Sequence, residues 1–127
     1  MADVVRVVNG GLGIVTSRIK GNGAAEPNLI RWGTGGGTAA AVTNTSLETV
    51  SAETTVTGTS SLVTTTVEND TYQVVGTMTS ESEQTINEVG LFSSTTLFLR
   101  GTFSGIALNT DDSIEFTIKT AVSDGSA

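Results

Sequence analysis

Threonine is the residue that most constrains the fold of this chain, because 23 of the 127 residues are Thr and a further 13 are Ser. Threonine is β-branched, which suits the pleated, half-buried surface of a β-sheet better than a helix. Charged residues make up only 15% of the chain, below the usual quarter, so hydroxyl groups supply much of the polar surface. The composition therefore predicts strands with neutral polar faces, and the 15 Gly residues predict many tight bends between them.

Short alternating segments follow one another along most of the chain. Asn69-Asp70 separates two of them, which predicts a hairpin. Ile114, Phe116 and Ile118 form the cleanest alternation, and we expect them to face the core from a central strand. Several short strands joined by turn residues predict an all-β, mostly antiparallel single domain, either a β-sandwich or a barrel.

We expect one domain with an N-terminal arm or short helix, a β core and a frayed tail, over residues 1–25, 26–122 and 123–127 of the whole chain, 1–127. Leu12, Val15 and Ile19 have the spacing of a short amphipathic helix within the arm. Thr45-Ser46-Leu47-Glu48 matches a capping box and predicts one helical turn.

The charge balance and the missing side chains exclude several classes of function. A net charge of −7 argues against binding to nucleic acid or to an anionic membrane surface, since both require clustered Lys and Arg. With no Cys and no His, the chain lacks thiolate sites, the usual general base and the commonest metal ligand. We therefore expect no enzymatic activity, no cofactor and no metal. The N-terminus lacks a signal peptide's apolar stretch, so we expect synthesis in a cytosol.

Asp111, Asp112 and Glu115 allow a chemical and a structural interpretation. Clustered carboxylates could seed a calcium site, but these three lack the spaced ligands of a calcium loop. A solvated turn before a strand explains them better.

Three glutamates invite a glycosidase interpretation, since such enzymes use paired carboxylates. Glu81 and Glu83 are better explained as exposed charges that discourage edge pairing. Glu88 lies in an apolar setting, which allows it to be partly buried and paired with Arg100 or Arg31.

The run Gly33–Gly37 could suggest a phosphate-binding loop. The dinucleotide pattern requires Gly where this chain has Thr38, and no Gly-Lys-Ser/Thr follows, so we interpret the run as an adaptable structural loop. We interpret Trp32 as a core residue, with an interface anchor as the alternative. The residues expected to contact a partner protein are Arg31, Trp32, Gly33, Thr34, Gly35, Gly36 and Gly37.

Three segments carry a resemblance to a known class of proteins. The first is Gly13-Ile-Val-Thr-Ser-Arg-Ile-Lys-Gly-Asn-Gly, followed by Leu29-Ile-Arg-Trp-Gly-Thr-Gly-Gly-Gly-Thr-Ala-Ala-Ala; the second is Thr45-Ser-Leu-Glu-Thr. The third runs from Ile86-Asn-Glu-Val-Gly-Leu-Phe through Leu99-Arg-Gly-Thr-Phe to Ile106-Ala-Leu-Asn-Thr-Asp-Asp-Ser-Ile-Glu-Phe-Thr-Ile. In this order they resemble small virion structural proteins of tailed bacteriophages, including capsid decoration (cement) proteins and tail-associated β modules.

The resemblance implies a virion component that binds other virion proteins and has no catalytic residues. It favours a capsid decoration protein, made in the host cytoplasm, that binds the outer surface of the major capsid protein shell as a homotrimer and stabilises it. The alternative is a tail or tail-fibre module that contacts the host. Fibre proteins are commonly longer and have repeats or coiled-coil stalks, and this chain has neither.

Overall fold

The computed structural model describes residues 3–125, which form one short helix and eight strands. In chain order these are β1 (Val4–Val7), α1 (Asn9–Lys20), β2 (Leu29–Gly33), β3 (Val56–Thr57), β4 (Thr59–Val63), β5 (Thr71–Thr79), β6 (Gln84–Ser93), β7 (Thr96–Leu108) and β8 (Ser113–Ala121). Residues 123–125 of the predicted tail are exposed and irregular, and the remainder of that tail lies outside the described residues.

The strands form two antiparallel sheets, ordered β1-β7-β6-β2-β3 and β4-β5-β8. The chain passes from the first sheet to the second at Gly58, where a Cβ would press on Val74 and Ile30. The predicted hairpin around Asn69-Asp70 is confirmed as the β4–β5 pair. The all-β prediction is therefore confirmed, and of the two architectures it named, the described residues form a sandwich.

The core lies between the two sheets. Ile30 and Leu91 of the first sheet and Val74 of the second are fully buried, and each such side chain contributes about 1.5–3 kcal/mol by leaving water. Trp32 of β2 packs edge-on against Phe116 of β8, with ring centroids 6.3 Å apart and planes at 83°. These contacts join strands that are distant in sequence, so they hold the two sheets in one unit.

The predicted N-terminal helix is present as α1. It lies against β7, where the N–H of Val8 donates to the carbonyl of Phe98 at 3.0 Å. Gly11 permits this approach, because a Cβ there would collide with the Phe98 carbonyl. The helix ends at Gly21, whose φ of 74° places it in the left-handed region that terminates many helices.

Two local predictions are wrong. The alternating residues of β8 do face the core, but β8 lies at the edge of its sheet and not at the centre. Alternation reports which face of a strand is buried, and it carries no information on how many strands lie beside it.

The turn at Thr45-Ser46-Leu47-Glu48 is not helical. The N–H groups of Glu48 and Thr49 donate instead to the Glu88 carboxylate, a distant acceptor that replaces the local cap.

Candidate partner-binding surface

The predicted contact segment, residues 31–37, is mostly inside the fold. Trp32 is 1% exposed, and its indole N–H donates to Glu53 Oε1 at 2.8 Å. The interpretation of Trp32 as a core residue is therefore confirmed. Gly33, Gly35 and Gly36 are also buried, and Arg31, which is partly buried, lies over the ring of Phe92 with its guanidinium carbon 5.7 Å from the centroid.

Glu88 explains why the glycines of this segment are needed. Its carboxylate accepts hydrogen bonds from the backbone N–H of Gly35 at 2.9 Å, of Glu48 at 2.9 Å and of Thr49 at 2.8 Å. A Cβ on Gly35 would occupy the space of this carboxylate. The loop is thus packed around an internal charge.

The partner of Glu88 is Arg100, one of the two that the sequence suggested. The Arg100 Nε donates to Glu88 Oε1 at 2.9 Å, and both side chains are at most 1% exposed. The guanidinium also donates to Asn44 Oδ1 at 3.0 Å and to the Gly35 carbonyl at 2.8 Å. The Glu88 carboxylate thus accepts four hydrogen bonds, and each Arg100 nitrogen donates one, which offsets the cost of burying the two charges.

Thr34 and Gly37 are the exposed members of the segment. They remain available to a partner, and the prediction that this segment contacts one stays a prediction for these two positions. The buried residues of the segment contribute to the packing of the fold.

A different surface combines exposure with apolar character. Leu12, Val15 and Ile19 lie on the outer side of α1 and are 58%, 37% and 81% exposed, whereas Ile14 on the inner side is 6% exposed. The predicted helix spacing is confirmed, and the three residues that it groups are exposed to water. The signal that could have been read is Gly11, a close-approach position that lets the adjacent face, which carries Gly11 and Ile14, pack against β7.

This outer stripe borders a groove of about 560 Å³ between α1 and the second sheet. The far wall carries Leu62 of β4, 63% exposed, and Val122, 66% exposed. Of the helix stripe, Val15 and Ile19 line this groove, and we call the set Val15, Ile19, Leu62 and Val122 the α1–β4 surface. Contiguous patches of exposed aliphatic side chains often mark the sites at which a protein binds a partner.

Polar groups beside the groove are engaged within the chain. The Tyr72 hydroxyl lies 2.9 Å from Glu26 Oε2 and 3.0 Å from the Pro27 carbonyl. Burial, together with the neighbouring Glu26 carboxylate, raises the pKa of Tyr72. Hydrogen bonds from Ser60 and then Tyr72 lower the pKa of Glu26. The groove therefore presents aliphatic side chains beside Tyr72 and Glu26, which are paired with each other, and its lining also contains the buried Thr120 Oγ1, which has no hydrogen-bond partner among the described residues.

The opposite end of the second sheet is acidic. Glu81, Glu83, Asp111 and Asp112 are all exposed there. The β5–β6 and β7–β8 turns that carry them are joined by the Ser80 N–H donating to the Asp112 carbonyl at 2.7 Å. Asp111 and Asp112 occupy a solvated turn, as the structural interpretation expected. One end of the molecule thus carries four exposed carboxylates, and the other carries the exposed aliphatic side chains with Glu68 and Asp124 beside them.

A second groove, of about 660 Å³, opens along the side of the sandwich between β7 and β8. Its apolar lining includes Phe103, Ile106 and Phe116, and Val5 of β1 borders it with 57% exposure. The two flanking strands β1 and β8 are both at sheet edges.

Within residues 3–125, no three carboxylates lie close enough together to hold a metal ion, and no helix in that part of the chain is long and apolar enough to cross a membrane.

No known protein family, curated protein or solved structure matches the chain.

Proposed function

We propose that the chain is a capsid decoration protein of a tailed bacteriophage, which docks through its α1–β4 surface on the outside of the major capsid protein shell and stabilises it. The observation that carries the proposal is the exposed aliphatic stripe of α1 beside Leu62 and Val122. The resemblance of the three sequence segments supplies the class of partner.

The arrangement of the two ends favours a one-sided attachment. The nine residues of β5 run from the α1–β4 surface at Tyr72 to the acidic turn after Thr79, a distance of roughly 25–30 Å at the usual rise per residue. One end therefore offers apolar area to a partner, while the other keeps four exposed carboxylates in water.

Docking stabilises a partner only if it buries enough apolar area. Full burial of an Ile, Leu or Val side chain is worth about 1.5–3 kcal/mol, against an association cost of about 4–15 kcal/mol. Ile19, Leu62 and Val122 are each at least 63% exposed, so their burial would supply a substantial part of that cost. Thr34 and Gly37 remain predicted additional contacts.

The direct test adds the purified protein to expanded shells that lack it. We expect saturable binding at a copy number matching the threefold positions, and a higher melting temperature of the shell. Ile19→Asp should weaken binding at least about tenfold, because it places a charge in the apolar contact. Ile106→Asp is the matched control, since it makes the same change at an Ile that is 41% exposed and lies outside both the α1–β4 surface and the segment 31–37.

The results separate the proposal from its alternative. Wild-type binding by Ile19→Asp would show that the α1–β4 surface is not the contact. Failure of the unchanged protein to bind any shell, with antibody labelling confined to the tail, would identify the tail or tail-fibre module instead. The homotrimer implied by the resemblance stays a prediction.

A further inference from the structure

The outer edge of β8 has no strand beside it among residues 3–125, since β8 is bonded to β5 alone. An unpaired edge offers a row of backbone N–H and C=O groups that can accept another strand. β8 is nine residues long and regular. Its exposed face carries Glu115, Thr117 and Lys119 at alternating positions.

The charges on β8 are arranged symmetrically about Thr117. If a second copy pairs antiparallel with β8 about a twofold axis at Thr117, Glu115 lies directly opposite Lys119 of the second copy. The same pair recurs on the other side of the axis. Opposite charges in this cross-strand position stabilise a sheet, and like charges destabilise it. An edge Lys normally discourages pairing, but in this register each Lys faces a Glu.

The inner face of β8 is complementary in the same register. Phe116 lies opposite Ile118 of the second copy, so two apolar cross-strand pairs form beneath the two charge pairs. Since the axis is perpendicular to the sheet, both copies keep their apolar side toward their own cores. The side grooves of the two copies, each bordered by the exposed Val5, then face each other and are covered.

The other edge strand of the three-stranded sheet, β4, is not complementary to itself in this way. β4, with sequence TSSLV, contains no charged residue, so antiparallel pairing of β4 with itself about Ser61 produces no charge pair. Of the two edge strands of this sheet, β8 is therefore the one that is complementary to itself in both charge and apolar character.

We infer that two copies of the chain associate through β8 in an antiparallel, twofold contact that joins their three-stranded sheets into one of six strands. The contact differs from the threefold symmetry that the resemblance implies. It goes beyond the proposed function, because it concerns the free protein before any shell is present.

The test measures the mass of the free protein by light scattering or sedimentation over a wide range of concentrations. The unchanged chain should reach twice its 13.0 kDa monomer mass. E115K and K119E should each raise the dissociation constant of the dimer about tenfold or more, since each turns two attractive pairs into two repulsive ones. E83K is the matched control, because it makes the same charge change on an exposed residue of the acidic end and should leave the dimer intact.

Mixing provides the decisive arm. E115K and K119E combined in equal amounts should form a mixed dimer, because the lysine introduced at position 115 then faces the glutamate introduced at position 119. The double variant E115K/K119E should dimerise like the unchanged chain. Recovery on mixing also shows that each single variant folds. A monomer at every concentration, or an oligomer of any size that E115K and K119E leave unchanged, would overturn the inference, and neither result bears on shell binding.

Discussion

In two regions of the molecule, burial is the reverse of what the residue types suggest. The glycine segment surrounds the buried carboxylate of Glu88, whereas the outer stripe of α1 is aliphatic and exposed. Glu88 is a carboxylate with no measurable exposure, whereas Ile19 is an aliphatic side chain that is 81% exposed. The difference lies in the partners available. Four donors surround the Glu88 carboxylate, so its burial leaves no unpaired charge. Nothing within residues 3–125 covers the outer side of α1, because the helix packs through Gly11 and Ile14 on its other side.

The comparison also separates stability from function. The Glu88 cluster joins β2, the loop after it, β6 and β7, so it acts on the fold. The α1 stripe contributes little to the fold, which leaves it free for contact. Substitutions in the Glu88 cluster should therefore lower the free energy of unfolding. Substitutions in the outer stripe of α1 should weaken binding and leave the free energy of unfolding nearly unchanged.

The largest effect is expected from Glu88→Gln. The change leaves Arg100 buried without its counter-ion and directs an amide donor toward other donors, and breaking a buried pair in this way costs about 3–5 kcal/mol. A domain of this size has a total stability of about 5–15 kcal/mol, so urea denaturation should show a large fall in the midpoint.

Glu83→Gln is the control for that measurement, since Glu83 is exposed in a turn and surface changes usually stay within about 0.5 kcal/mol. If Glu88→Gln lowers the free energy of unfolding by less than about 1 kcal/mol, the Glu88 cluster does not stabilise the loop. The contrast drawn between the two regions would then be wrong.

A smaller effect is expected from the same substitution made on the two sides of α1. Ile14→Ala removes a side chain that is 6% exposed and should cost about 2–4 kcal/mol of unfolding free energy. Ile19→Ala should change stability by no more than about 0.5 kcal/mol while weakening attachment to the shell. Equal destabilisation by both variants in urea denaturation would show that the outer side is also packed.

The smallest effect concerns pH. Burial by itself would raise the pKa of Glu53, but hydrogen bonds from the Glu81 N–H, Ser51 and Trp32 outweigh it and lower the pKa from 4.5 to about 2. Because the folded-state pKa is below the unfolded value, the stabilisation is complete above about pH 4.5 and is lost as the pH falls toward 2. Unfolding free energies measured between pH 5 and pH 2 should fall, and Glu53→Gln should reduce that slope.

Part of the slope should remain in Glu53→Gln. Hydrogen bonds from the N–H groups of Val67 and Thr65 lower the pKa of Asp70 in the β4–β5 turn, which contributes in the same direction. Asp70→Asn should reduce the remainder further, and Glu26, whose pKa is also lowered, contributes another part of it. An unchanged slope in Glu53→Gln would mean that this carboxylate does not stabilise the region around Trp32.

The sequence by itself determined the class of fold, since the abundance of Thr and the alternation of β8 depend only on local preference. It also determined that α1 is a helix and that Trp32 is a core residue. Helix spacing specifies which side chains share a face, so Leu12, Val15 and Ile19 were grouped correctly.

Only the tertiary structure decided where those faces point. Whether a stripe is buried depends on what packs against it, and here Gly11 lets the other side of α1 approach β7. The edge position of β8 depends in the same way on strand order, which no local pattern records. Arg100 became the partner of Glu88 because the β6–β7 pairing brings the two residues together, and contacts between distant residues are set by the whole chain.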